Sequence, residues 1–135
     1  MPVLQGALIC DSAHDYNGLV SVLGGFVGVI QVQRIPVPAS IWFAGRVGFT
    51  SEEATEAHEL VVRVVADGSD APLAEVRGSV GPQDTSKFLV PEQMGGVNLV
   101  FPLPFQIEHL GAFWVELKVD GDLFSRLPLQ VIQAR

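Results

Sequence analysis

Cysteine is almost absent from this chain. Cys10 is the only one in 135 residues, so no internal disulfide can form and a secreted disulfide scaffold is excluded. A reducing, cytoplasmic setting is the expectation. The opening MPVLQGALICD places no Lys or Arg ahead of its apolar residues, and Gln5 and Gly6 interrupt a run too short for the core of a signal peptide. Long hydrophobic runs are missing as well. The nearest approach, Gly18 to Ile30, contains four glycines and falls short of the ~20 residues a membrane-spanning helix needs. Basic residues are few: eight Lys and Arg stand against fifteen Asp and Glu, a net charge of −7. Nonspecific attraction to nucleic acid or an anionic membrane, which depends on neutralising phosphates, is therefore not expected. Helical signals are sparse too. Ser51 to Ala57 has a capping residue and an acidic start, but is long enough for only a turn or two.

What the chain does have is apolar mass and turn chemistry. Hydrophobic residues make up 48% and charged residues 17%, with a mean hydropathy of +0.36, which excludes a disordered, self-repelling chain. At this length residues 1–135 are expected to form one domain, able to bury roughly 68–70% of its extended surface. Ile41, Phe43, Val47 and Phe49 alternate with Trp42, Ala44 and Arg46, and Phe113, Val115, Leu117 and Val119 alternate with Trp114, Glu116 and Lys118. This two-residue period is that of strands with one buried face. In the stretch 58–66, Val61 and Val65 add a second apolar face, which points to a strand lying centrally or under a loop.

Asp67-Gly68 and Asp120-Gly121 punctuate these runs as tight hairpin turns. Asn17-Gly18 gives the same signal between strands at about 3–10 and 19–32. Between Asp11 and Gly18 the chain is expected to form a loop that ends in this turn. Pro102 and Pro104 share the outward parity of their strand; proline cannot donate to a ladder, so that strand is expected at an edge. The longest irregular connection is read over 81–96. The fold class that follows is all-β: a single antiparallel sandwich of immunoglobulin-like character with seven or eight strands, and a small β-barrel as the alternative.

The densest collection of reactive residue types is CDSAHDYNG, Cys10 to Gly18. Cys10, Asp11, His14 and Asp15 are all metal-ligand types, and a cysteine near a histidine suggests a nucleophile and base. Zinc usually takes three or four ligands, and His58 and His109 show no companion spacing, so no metal or cofactor is expected. A small metal-dependent or cysteine hydrolase would require His58 or His109 to converge on this loop. The competing reading makes Cys10 a buried hydrophobe at a strand end, Asp11 a cap on the exit and Asn17-Gly18 a structural turn. Gly24-Gly25-Phe26-Val27-Gly28 lacks the Gly-Lys-Ser/Thr ending and βαβ setting of a phosphate cradle; a bulge or bend suits it better. Gly78-Ser79-Val80-Gly81 lacks the spacing of a nucleophile elbow. Glu52, Glu53, Glu56 and Glu59 read as a solvated face.

Trp42 and Trp114, each opposite the core parity of its strand, are the candidate binding residues, since tryptophan is enriched at interface hot spots. Cover by the 81–96 connection is the competing reading for both. The function expected is thus a noncatalytic module that binds a protein partner or a second copy through a sheet face or edge. A carbohydrate or small-ligand sandwich and the hydrolase stand as alternatives.

The stretches Cys10-Asp11-x-Ala13, Asn17-Gly18-Leu19-x-Ser21-Val22-Leu23-Gly24-Gly25-Phe26 and the strand Trp42 to Phe49 resemble a family of small uncharacterised bacterial proteins. The resemblance implies a single β-sandwich domain and a shared structural corner at Cys10-Asp11. It assigns no activity and no catalytic residue, and the sequence departs from it by having Ser12-Ala13-His14-Asp15 before Asn17-Gly18, so His14 has no support from it.

Overall fold

The computed structural model describes residues 2–82 and 95–134. Nine strands occur among them: β1 (Val3–Tyr16), β2 (Leu19–Gly25), β3 (Val29–Val32), β4 (Val37–Phe49), β5 (His58–Ala66), β6 (Pro72–Val80), β7 (Gly95–Ile107), β8 (Gly111–Val119) and β9 (Asp122–Gln133). A single 3-10 turn, Glu53–Thr55, is what the acidic stretch after Ser51 forms. The strands build two sheets, ordered β2-β1-β4-β7 and β3-β9-β8-β5-β6. Taken as A, B and E (β1, β4, β7) against C, F and G (β5, β8, β9), with β6 in the C′ place, this is the immunoglobulin-like order expected from the hairpin spacing. Phe43, Val47, Phe49, Leu99 and Leu103 from the first sheet meet Val62, Val64, Phe113, Val115 and Leu117 from the second in one fully buried core.

β7 is an edge strand, and its exposed Pro102 and Pro104 sit opposite Trp42 and Ser40. β5 lies between β6 and β8. Its outward Val61 and Val65 are buried: across the ladder Val61 is flanked by Arg77 and Lys118, and Val65 stands opposite Trp114.

Three points differ from the sequence reading. First, β1 does not end at Cys10 but continues to Tyr16, pairing with β2 through a two-residue turn in which Asn17 and Gly18 have φ of 51° and 79°. The backbone of 12–16 finds ladder partners on β2, so no eight-residue loop is needed. Asp11 therefore caps no strand exit. The carboxylate that serves the turn belongs to Asp15, which accepts the Gly18 N–H at 3.2 Å. Second, the stretch 19–32 divides at Phe26–Gly28. β2 stays on β1, and β3 crosses to the other sheet. There it runs parallel to β9, the one parallel pairing among the described residues. Third, splitting that stretch raises the strand number to nine.

Gly24 makes the departure of the hairpin possible. Its φ is +62°, and a Cβ there would lie 2.8 Å from the Asp11 Cβ. The 81–96 connection, read as cover for the tryptophans, falls mostly on residues 83–94, outside the described residues.

Candidate functional site

β1 pairs with β4 only as far as Cys10, opposite Trp42; beyond it the strand leaves β4 and keeps β2 as its sole partner. The freed hairpin folds over the outer face of its own sheet. Ala13, Val20 and Val22 pack with Leu8, Cys10, Trp42, Ala44 and Val100 in a second, smaller apolar cluster. Cys10 and Ala13 share that cluster although they are three apart, so the strand changes the face it presents between them. The tip is latched to β7: Asn98 donates from Nδ2 to the Gly18 carbonyl at 2.9 Å and to Asp15 Oδ2 at 3.3 Å. Arg46 in turn donates to Asn98 Oδ1 at 2.7 Å and to Gln5 Oε1 at 2.9 Å. A Cβ at Gly96 would overlap the Arg46 guanidinium, so only glycine there leaves this arginine its place. Between the flap and the sheet lies a groove of about 460 Å³ lined by Leu8, Val20, Val22, Ala44 and Arg46.

The reactive-looking residues of CDSAHDYNG are distributed by this geometry. Cys10 is fully buried and its thiol donates weakly to the Trp42 carbonyl, 3.6 Å away. Burial first, and the Asp11 charge second, push its pKa up and disfavour the thiolate that a nucleophile requires. His14 is exposed, lies 3.2 Å from Ser12 Oγ, and has its ring 5.5 Å from that of Trp42. His58 is elsewhere, packed on Phe49 with its two ring nitrogens 2.7 Å from Asp120 Oδ2 and from the Glu53 carbonyl. His109 stacks on Phe113. The three histidines thus serve three separate contacts, and neither His58 nor His109 joins His14 at the 10–15 stretch. Among the described residues no three of His, Cys, Asp and Glu are grouped so as to hold a metal ion.

The two tryptophans occupy different settings. Trp114 lies half-buried on the outer face of the second sheet, where its indole N–H donates to Asp67 Oδ1 at 2.9 Å. The Arg126 guanidinium sits 3.8 Å from its ring centroid. Beside it Glu116, itself buried, accepts from Arg63 at 2.9 Å and pairs with Arg126 at 3.4 Å. Trp114 is therefore engaged at its N–H and on one ring face within a charged network. Trp42 is half-buried at the border of the hairpin's apolar cluster.

The feature that sequence reasoning missed is the far side of the hairpin. Tyr16, Leu19, Leu23 and Phe26 are 71%, 72%, 67% and 83% exposed. Tyr16 and Leu19 are cross-strand neighbours, and Leu23 stands opposite Ser12. β2 is the terminal strand of its sheet, and among the described residues nothing pairs with its outer edge. Unpaired edges recruit other strands unless charge or proline blunts them. β7 has its prolines, and β6 carries Pro72, Glu75 and Arg77. β2 has neither. One signal in the sequence marks it: residues 16–33, which span β2 and β3, form the longest stretch without Asp, Glu, Lys or Arg.

No helix among the described residues is long and apolar enough to cross a membrane. Comparison with curated proteins yields no match. Two solved structures are similar at low identity. One is a beta-glucuronidase from glycoside hydrolase family 2, 15% identical over 70% of this chain and 10% of the enzyme, with a TM-score of 0.44. The chain thus corresponds to about a tenth of that enzyme's length. The other is a putative lipoprotein from Bacillus anthracis, 8% identical over 91% of this chain and 85% of that one, with a TM-score of 0.38. From residue 5 to residue 132 the sequence matches the family of unknown function DUF6941, and the chain belongs to that family.

Proposed function

We infer that this protein is a noncatalytic interaction module whose contact element is the β1–β2 hairpin, engaging a protein partner, a second copy included, through the edge of β2 and the apolar side chains around it. The observation that carries this reading is the exposed, uncharged set Tyr16, Leu19 and Leu23 beside an open edge, with exposed Phe26 just past the end of β2, in a molecule whose β6 and β7 edges carry charge or proline. Exposed apolar patches of this kind mark interaction sites on soluble proteins. The hairpin is suited to the task because its other face is fixed to the sheet by the Val20–Val22–Ala44 cluster and the Asn98 latch, so binding does not have to order it.

The test is a double substitution, Leu19→Asp with Leu23→Asp, which places like charges on the edge without touching the buried face. Wild type is expected to associate, with itself in sedimentation or with a discrete partner in affinity capture from its source cell, and the double variant is expected to lose that association. Leu73→Asp on the β6 edge serves as a control that keeps it. A monomeric wild type that captures the same proteins as the double variant would refute the reading.

A further inference from the structure

A second strand-shaped vacancy lies on the opposite side of β1's departure. Because β1 leaves β4 after Cys10, residues 37–41 of β4 are paired on one side only, with β7. Their open edge faces a cleft of about 960 Å³. All four residues of β3 line the other wall, and β3 is itself the terminal strand of the second sheet. The direction of the free backbone groups follows from the prolines. Pro102 and Pro104 cannot donate and lie opposite Trp42 and Ser40, which marks these as non-hydrogen-bonded pairs of the β4–β7 ladder. Ser40 therefore turns its N–H and C=O away from β7 toward the cleft, and Pro38, of the same parity, adds a C=O. Val37, Ala39 and Ile41 have the inward parity and meet a floor of Val27, Ile30 and Val32. The two ends carry opposite charge: Asp11 where β1 leaves Trp42, and Arg34 beside Val37. Neither makes an ion pair among the described residues.

We propose that this cleft binds an extended peptide segment of a partner protein, which adds to β4 as an antiparallel strand in the place β1 vacates. The open backbone groups fix the occupant as a strand, the floor fixes its inward side chains as apolar, and the charged ends fix its direction. About five residues, ~17 Å of strand, fill the edge. Running antiparallel to β4, the segment begins at Asp11 with a basic residue and ends at Arg34 with an acidic one. The residue opposite Ser40 exchanges two hydrogen bonds with it; the residue opposite Pro38 can only donate.

The probe is the capped peptide KVTVTVE, whose valines face Ile41, Ala39 and Val37 and whose threonines face Ser40 and Pro38. Saturable binding at millimolar peptide is expected by titration calorimetry, with amide shifts at Ala39 and Ser40 in NMR. N-methylation of the threonine nearest the lysine removes a bond to Ser40 and is expected to weaken binding about tenfold. N-methylation of the central valine, whose N–H points away from β4, is expected to leave it unchanged. The charge-reversed EVTVTVK is expected to bind more weakly than KVTVTVE. In the protein, Arg34→Glu is expected to reverse the preference between KVTVTVE and KVTVTVK, and Ser40→Pro to abolish binding. The Leu19→Asp, Leu23→Asp variant is expected to bind as wild type does, which separates this cleft from the β2 edge. Absence of saturable binding, or equal affinity for the normal, N-methylated and charge-reversed peptides, would overturn the proposal.

Discussion

Raising the pH is expected to loosen the clasp that His58 forms between the 3-10 turn, β5 and the β8–β9 turn. Both of its ring nitrogens face acceptors, Asp120 Oδ2 and the Glu53 carbonyl, each at 2.7 Å. A neutral imidazole has one N–H and serves one of them; the imidazolium serves both. Burial alone would pull the His58 pKa down, but the Asp120 bond and then the Glu53 carbonyl outweigh it and hold the pKa above its ordinary value. The His58 bond, opposed by burial, holds Asp120 below its own.

The signs follow from linkage. The stabilisation through His58 is complete below its unfolded pKa of ~6.5 and is lost as pH rises through the higher folded value. That through Asp120 is present above its unfolded pKa of ~3.9 and is lost as pH falls through the lower folded value. A hydrogen bond to a charged partner contributes about 1.5–3 kcal/mol. The Asp120 side chain is 44% exposed, which screens the pair and brings the figure to about 1–2 kcal/mol. For a domain of this size that corresponds to roughly 3–10 °C in melting temperature. The assay is thermal unfolding of wild type and His58→Gln from about pH 5.5 to about pH 9, a range chosen to cross the raised histidine value. Wild type should melt higher at the acidic end, with the gap closing as pH rises. A gap that stays flat or widens with pH would show that His58 is neutral in the folded protein and refute the argument.

Other substitutions probe the remaining parts of the account. Glu116→Ala leaves Arg63 and Arg126 facing each other on a largely buried site; about 2–4 kcal/mol should be lost in urea unfolding, somewhat below the cost of breaking a fully buried pair because Arg126 is half exposed. Gly24→Ala forces a side chain into a left-handed backbone against Asp11, and chemical denaturation should report a loss of about 1–3 kcal/mol. Asn98→Ala unlatches the hairpin tip: amide exchange of residues 12–23 should speed up while β5 and β8 keep their protection. Unchanged exchange at those residues would show that the apolar cluster alone holds the flap.

The sandwich was legible in the sequence because its signals are local. Two-residue alternation identified β4, β5 and β8, Asp-Gly located two hairpin turns, and Pro102 with Pro104 placed β7 at an edge, since each rests on a property of the residue itself. What was hidden depends on pairing between distant residues. The CDSAHDY stretch is polar and reads as a loop, yet it is strand because β2 supplies its ladder partners. The break at Phe26–Gly28 carried glycines that mark a bend without saying which sheet the chain enters next. His58 and Asp120 are 62 residues apart, and Asn98 is 80 from Gly18, so neither contact had any local signature. The exposed hairpin row was hidden for another reason. Leu19 and Leu23 look like core until the fold shows that the core-facing positions of β2 belong to Val20 and Val22.

The central claim is that the uncharged edge of β2 is the working surface of this protein. The most direct measurement is quantitative affinity capture from the source cell, with sedimentation of the purified protein alongside, comparing wild type with the Leu19→Asp, Leu23→Asp variant and the Leu73→Asp control. The account predicts a discrete partner or a self-associated species that wild type and the control share and the double variant lacks. Identical, monomeric and partner-free behaviour of all three would contradict it.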